Sequence, residues 1–272
     1  MWGLCCCPSD SADNLVRVNP PGGIGTFNDT KIPLKLGYGD GSYGVSGTIG
    51  VAPFKIGAYE VPVQAFLSVT KATITGLAEY GLYGILGLSF EFTRASSPIK
   101  AAIQDSYGST VTWGKSVLYN IFEHYPSQPN LIAMRLSRTD DLEDTKGGSF
   151  TIGEYHSDYA AVTKSPKLPQ YPEGGDRWTT LLEGLYADGK PIPLTSLIKG
   201  VPAGHAQPML DTGVPTASIT APIWNAIYSS IPGAVKYRED LWLVPCNTTT
   251  IVEFAFGYVY LWALLRSVIL TN

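Results

Sequence analysis

Three turn signatures, Asp40-Gly41, Gly57-Ala58 and Asp188-Gly189, interrupt apolar strand-like runs and commit the chain to antiparallel hairpins. Asp-Gly reaches the left-handed backbone region at little cost, so a strand that meets it can reverse within two residues. Ahead of the first turn Ile32, Leu34 and Leu36 alternate with other residues, and after it Thr48 to Ile56 resumes the strand pattern. Trp178 to Tyr186 and Lys190 to Pro193 flank the third turn. Leu131 to Leu136 and Ser149 to Ile152 read as further strands around a charged loop at 138–146. With 29 Gly and 20 Pro in 272 residues, long helices have little room. Short ones are expected where Ser97-Pro98 places an N-cap before a proline, running through Ala102. Two more are expected over Lys115 to Glu123 and Pro222 to Ser230.

The expected fold class is therefore all-β, mostly strands with short helices, in two lobes. Residues 164–176, rich in Pro, Gly and charge, separate a first lobe, 1–163, from a second, 177–256. Residues 257–272 form an apolar tail that continues neither pattern. Phe254 to Leu265 is uncharged for 12 residues, short of the ~20 that a membrane helix requires, so no membrane partner is expected. The first residues, Met1-Trp2-Gly3-Leu4, have neither the basic start nor the apolar stretch of a signal peptide.

Charge and cysteine usage exclude other classes. The net charge of −4 gives no clustered cation surface for phosphates, so no nucleic-acid partner is expected. His124, His156 and His205 lie far apart, and Cys5, Cys6, Cys7 and Cys246 lack zinc-site spacing, so neither a metal nor a cofactor is expected. Asn28-Asp29-Thr30 and Asn247-Thr248-Thr249 are glycosylation sequons and lean toward a secretory protein.

One triplet carries chemistry. Met209 and Leu210 lead into Asp211-Thr212-Gly213, which reads as a buried strand delivering a carboxylate to a tight turn. Glycine lets other backbone approach, and amides can hold such a carboxylate ionised. Around it stands an ordered set: Trp2, Tyr38-Gly39-Asp40-Gly41-Ser42, Gly84-Ile85-Leu86-Gly87-Leu88, Trp178-Thr179 through Asp188-Gly189-Lys190, then Asp211-Thr212-Gly213 and Val244-Pro245-Cys246. In order and spacing the set resembles the pepsin-like aspartic peptidases from Trp2 to about Phe256.

The resemblance implies a bilobal, incomplete acid-protease fold and an aspartic endopeptidase acting on polypeptide substrates as a monomer, secreted or vacuolar. It makes Asp211 the catalytic aspartate of the second lobe, with Thr212 and Gly213 supporting its loop. Tyr38, Gly39, Asp40, Gly41 and Ser42 become the substrate-covering flap, and Trp2 the residue that hydrogen-bonds the flap tyrosine. The family's first Asp-Thr-Gly-Ser loop would stand immediately before Trp2, where this sequence has only Met1. Asp10, Asp13 and Asp29 follow Trp2 and lack the glycine-bearing loop, so the 272 residues as they stand are expected to be inactive. The alternative is a non-catalytic homologue that binds peptides. Val214 replaces a hydroxyl residue that commonly supports the carboxylate, and it cannot make that hydrogen bond.

Overall fold

From Thr30 to Tyr38 every second side chain is more deeply buried, ending in Leu36 and Tyr38, as a strand with one face on a core requires. The computed structural model describes residues 5–6, 26–38, 43–73, 84–91, 93, 96–136, 148–212, 217–239, 241–257 and 259–264. The chain divides into two units, Met1–Ala161 and Val162–Asn272.

In the first unit β1 (Cys5–Cys6), β2 (Asn28–Tyr38), β3 (Tyr43–Ile56) and β4 (Tyr59–Ala72) form one sheet in the order β1-β4-β3-β2. Gly57-Ala58 makes the expected two-residue turn, since Ile56 pairs with Tyr59. The two-residue turn expected of Asp40-Gly41 lies outside the described residues, and the last described ladder pair before it is Tyr38 with Tyr43.

Helix α1 (Pro98–Tyr107) starts where Ser97 predicts, and Ser97 Oγ accepts a hydrogen bond from the Lys100 amide at 3.2 Å. It runs five residues past the expected end at Ala102, because Ile103 buries completely against Ile49 and Leu67 of the sheet. Helix α2 (Val117–His124) is capped in the same way by Ser116. With β5 (Ile132–Arg135) and β6 (Ser149–Ile152) it encloses a second apolar cluster of Val61, Val117, Ile121 and Ile152. Glu91 ties the end of residues 84–91 to both helices: it pairs with Lys100 and accepts from the Ser116 amide at 2.9 Å.

The second unit begins with residues that bond inward. The Tyr171 amide donates to Thr179 O at 3.0 Å, and Thr180 Oγ1 donates to Pro169 O at 2.8 Å. Strands β7 (Gly184–Ala187) and β8 (Lys190–Pro191) turn at Asp188-Gly189, whose φ angles of 48° and 73° are the left-handed pair expected of Asp-Gly. Helix α3 (Ala221–Ser230) follows, then the hairpin of β9 (Val235–Arg238) and β10 (Leu241–Leu243). Strands β11 (Ile251–Phe256) and β12 (Val259–Leu264) complete a sheet in the order β12-β11-β7-β8. Val259–Leu264, the start of the apolar tail, thus pairs along its whole length with β11. Leu185, Trp224, Ile227, Val252 and Phe256 pack the core between helix and sheet.

Gln64 and Asn120 are buried polar residues in the first unit. Asn120 Nδ2 donates to Gln64 Oε1 at 2.8 Å, while Gln64 Nε2 donates to Lys115 O at 3.1 Å. Asn120→Ala would strip Gln64 of its donor without admitting water, so we expect a loss of about 1–3 kcal/mol in urea unfolding. A change within a few tenths of a kcal/mol would show that the pair is not the tie between β4 and α2.

Candidate active site

Tyr38 owes its place to parity: Leu36 and Tyr38 face the core, and Lys35 and Gly37 face water. Two features fix the base of the hairpin that continues from it. Thr73 clamps Gly44 from both sides, with the Gly44 amide donating to Thr73 Oγ1 and the Thr73 amide donating to Gly44 O, each at 2.8 Å. Gly47 sits at a bulge where the ladder shifts register, and a Cβ there would lie 1.8 Å from Ser68 O. Only glycine lets the two backbones come that close.

At its start β2 is set by Asp29. One carboxylate oxygen accepts from the Lys31 amide at 2.9 Å and the other from Lys31 Nζ at 2.8 Å, holding Lys31 at a φ of 61° beside a register shift. These bonds, the side-chain one foremost, hold the Asp29 carboxyl below its ordinary value.

Asp211 is delivered differently from the expectation. Residues 206–210 are not a buried strand. They meet 178–182 through two isolated bridges, Thr179 with Met209 and Leu182 with Ala206, supported by the Leu210 amide donating to Trp178 O at 2.8 Å. No strand lies on their other side among the described residues, so Met209 and Leu210 stay 43% and 65% exposed. Asp211 at the end of this segment is half-buried and Thr212 is exposed. Cys246 is exposed, with a free thiol.

Of the residues singled out by sequence, Tyr38 lies in the first unit and Asp211 and Thr212 in the second. Trp2, Gly39, Asp40, Gly41, Ser42, Gly213 and Val214 lie outside the described residues. Thr73 and Gly47 were not singled out. A glycine inside a strand pattern is a signal for a bulge, whereas nothing local marks Thr73. Among the described residues no group of acidic, histidine or cysteine side chains could hold a metal ion, and no helix is long and apolar enough to cross a membrane.

Comparison with known proteins adds two findings. The family model described as eukaryotic aspartyl protease matches residues 16–260. Among solved structures the chain superposes on the aspartic proteinase from Irpex lacteus with a TM-score of 0.61 at 16% identity, covering 96% of this chain and 69% of that one. At that identity the likeness speaks for the fold, which is mostly β with few short helices. No curated protein sequence matches the chain.

The hairpin base yields two expectations. Gly47→Ala must push β3 away from Ser68 and should cost about 1–3 kcal/mol in denaturant unfolding. An unchanged midpoint would show that the strands can part there freely. Because the Asp29 carboxyl is held low in the folded chain, its contribution is present above the unfolded-state value and disappears as pH falls through the folded value. It lies near the surface, so the effect is about 0–1 kcal/mol. Asp29→Asn should therefore flatten the stability profile slightly below about pH 4, as read by thermal melts across pH.

Proposed function

Because the chain belongs to the eukaryotic aspartyl protease family, we propose that it is built for aspartic endopeptidase chemistry, with Asp211 as one of two carboxylates that activate a water molecule. The observation that carries this reading is the family match over residues 16–260, which spans the one Asp-Thr-Gly triplet in the sequence.

In that chemistry two aspartates share one proton, since two like charges so close do not both ionise. One carboxylate takes a proton from water as the oxygen attacks the peptide carbonyl carbon, and the other gives its proton to the carbonyl oxygen. Collapse of the tetrahedral species breaks the C–N bond, and the nitrogen leaves as an amine after receiving a proton. Asp211 supplies one of those carboxylates, Thr212 and Gly213 shape its loop, and Tyr38 with Gly39, Asp40, Gly41 and Ser42 covers the bound peptide, with Trp2 supporting the tyrosine. An extended polypeptide is the substrate class, held by main-chain hydrogen bonds in the manner of an added strand. A secreted or vacuolar location suits a protein with two sequons and an acid-range mechanism, and a monomer is sufficient for it.

The 272 residues contain a single Asp-Thr-Gly triplet, so a polypeptide of these residues alone is expected to bind extended peptides without cutting them. Incubation of purified residues 1–272 with an unfolded protein at acidic pH tests this, and pepstatin-sensitive cleavage would overturn the need for a second aspartate. In the product of the whole transcript, Asp211→Asn should lower kcat by on the order of 10²–10⁴ with a much smaller change in KM, as expected when a proton-transferring group is lost. Retained kcat would remove Asp211 from the chemistry.

A further inference from the structure

The two sequons stand in opposite local environments. Asn28 opens β2 and pairs with Val51 in the ladder. Its hydroxyl partner is committed: Thr30 Oγ1 donates to Ile49 O at 2.7 Å and accepts from the Ile32 amide at 3.3 Å. Between them Asp29 is bound at both carboxylate oxygens by Lys31. An acceptor site must let a transferase draw the Asn amide and the Thr hydroxyl together, and at Asn28 that means breaking the start of the sheet.

Asn247 carries none of these ties. It lies at the third position of a turn closed by the Thr248 amide donating to Pro245 O at 3.0 Å, so its own backbone belongs to no ladder. Asn247 and Thr249 are both exposed, and neither side chain is hydrogen-bonded among the described residues. The nearby side-chain bond is between the other two hydroxyls, Thr248 Oγ1 and Thr250 Oγ1 at 3.4 Å. A Cβ at Gly233 would lie 3.0 Å from Pro245 Cγ, which places the turn beside the start of β9. The neighbouring hairpin face there, Val235 paired with Leu243 and followed by Tyr237, is half or more exposed.

We propose that Asn247 is an N-glycosylation site and that Asn28 remains bare. The co-reactant is a lipid-linked diphosphate oligosaccharide. Asn247 Nδ2 bonds to the anomeric carbon of the first sugar as the carbon–oxygen bond to the diphosphate breaks. The lipid diphosphate leaves with the bonding electron pair, Nδ2 gives one proton to a base of the transferase, and nothing is oxidised or reduced. The proposal rests on the reading that the protein enters the secretory pathway.

The test separates the two. Residues 1–272 are expressed in eukaryotic cells behind an appended secretion leader, so that the chain reaches the transferase whatever its natural route, and the pooled cell and medium protein is taken. Peptide mass spectrometry before and after an amidase that converts glycosylated Asn to Asp reads each site. Wild type and Asn28→Gln should show the amidase-dependent conversion at 247, while Asn247→Gln and Thr249→Ala should lose it entirely. Thr249→Ala keeps the asparagine and guards against misfolding of the first variant. An unmodified Asn247 peptide, or a glycan on Asn28, would overturn the proposal. Fractionation of cells expressing the whole natural transcript tests the secretory reading independently.

Discussion

Ile49 lies directly opposite Leu67 in the β3–β4 ladder, and both are wholly buried. That cross-strand pair fixes which face of the sheet looks inward, and the rest of the first unit is arranged around it. A slip of one residue would exchange the inward and outward sets along the strand, so the register is held by the cost of exposing the core. Ile103 of α1 completes the contact from the other side. The bulges at Ser46/Gly47 and Ala52/Phe54 bracket the pair, absorbing the shifts that let the hairpin twist without moving its centre. Parity carried across from β3 into β2 then buries Leu36 and Tyr38.

The second unit reaches its carboxylate with fewer ties. Asp188 locks the β7–β8 turn onto β11, since its amide donates to Ile251 O at 2.9 Å and its Oδ1 accepts from the Ile251 amide at 2.8 Å. Below that turn Leu185, Val252 and Trp224 are almost fully buried, so the sheet and α3 form a firm platform. Stability drains away toward 206–210, where two isolated bridges replace a ladder. Exposed apolar side chains, as at Met209 and Leu210, are the marks of a segment that opens more readily than the core beneath it.

Local chemistry made much of this legible. Ser97-Pro98 fixed a helix start because a hydroxyl cap and a missing proline N–H act within four residues, and Asp188-Gly189 fixed a hairpin because its backbone angles are intrinsic. The length of α1 was not legible, since Ile103 is held by residues more than thirty positions away in sequence. The same holds for 206–210, whose apolar residues read as a buried strand although burial depends on neighbours that the segment itself does not encode. Asp211 stood out through its triplet and the order of motifs around it. The features that place the hairpin near Tyr38, Thr73 across from Gly44 and Gly47 against Ser68, depend on a register that no single stretch of sequence encodes.

Peptide hydrolysis by carboxylates is a property of a pair, and that puts a demand on each member's backbone. A catalytic group acts only if its loop is held to about 0.5 Å, which a rigid element and its neighbours must supply. In the segment that leads to Asp211, the carboxylate proposed for that role, Thr179 and Leu182 brace 206–210, and Met209 and Leu210 stay uncovered. A segment braced in this way keeps its position only as well as its weakest bridge. Covering those two side chains would therefore stiffen the segment that leads to Asp211.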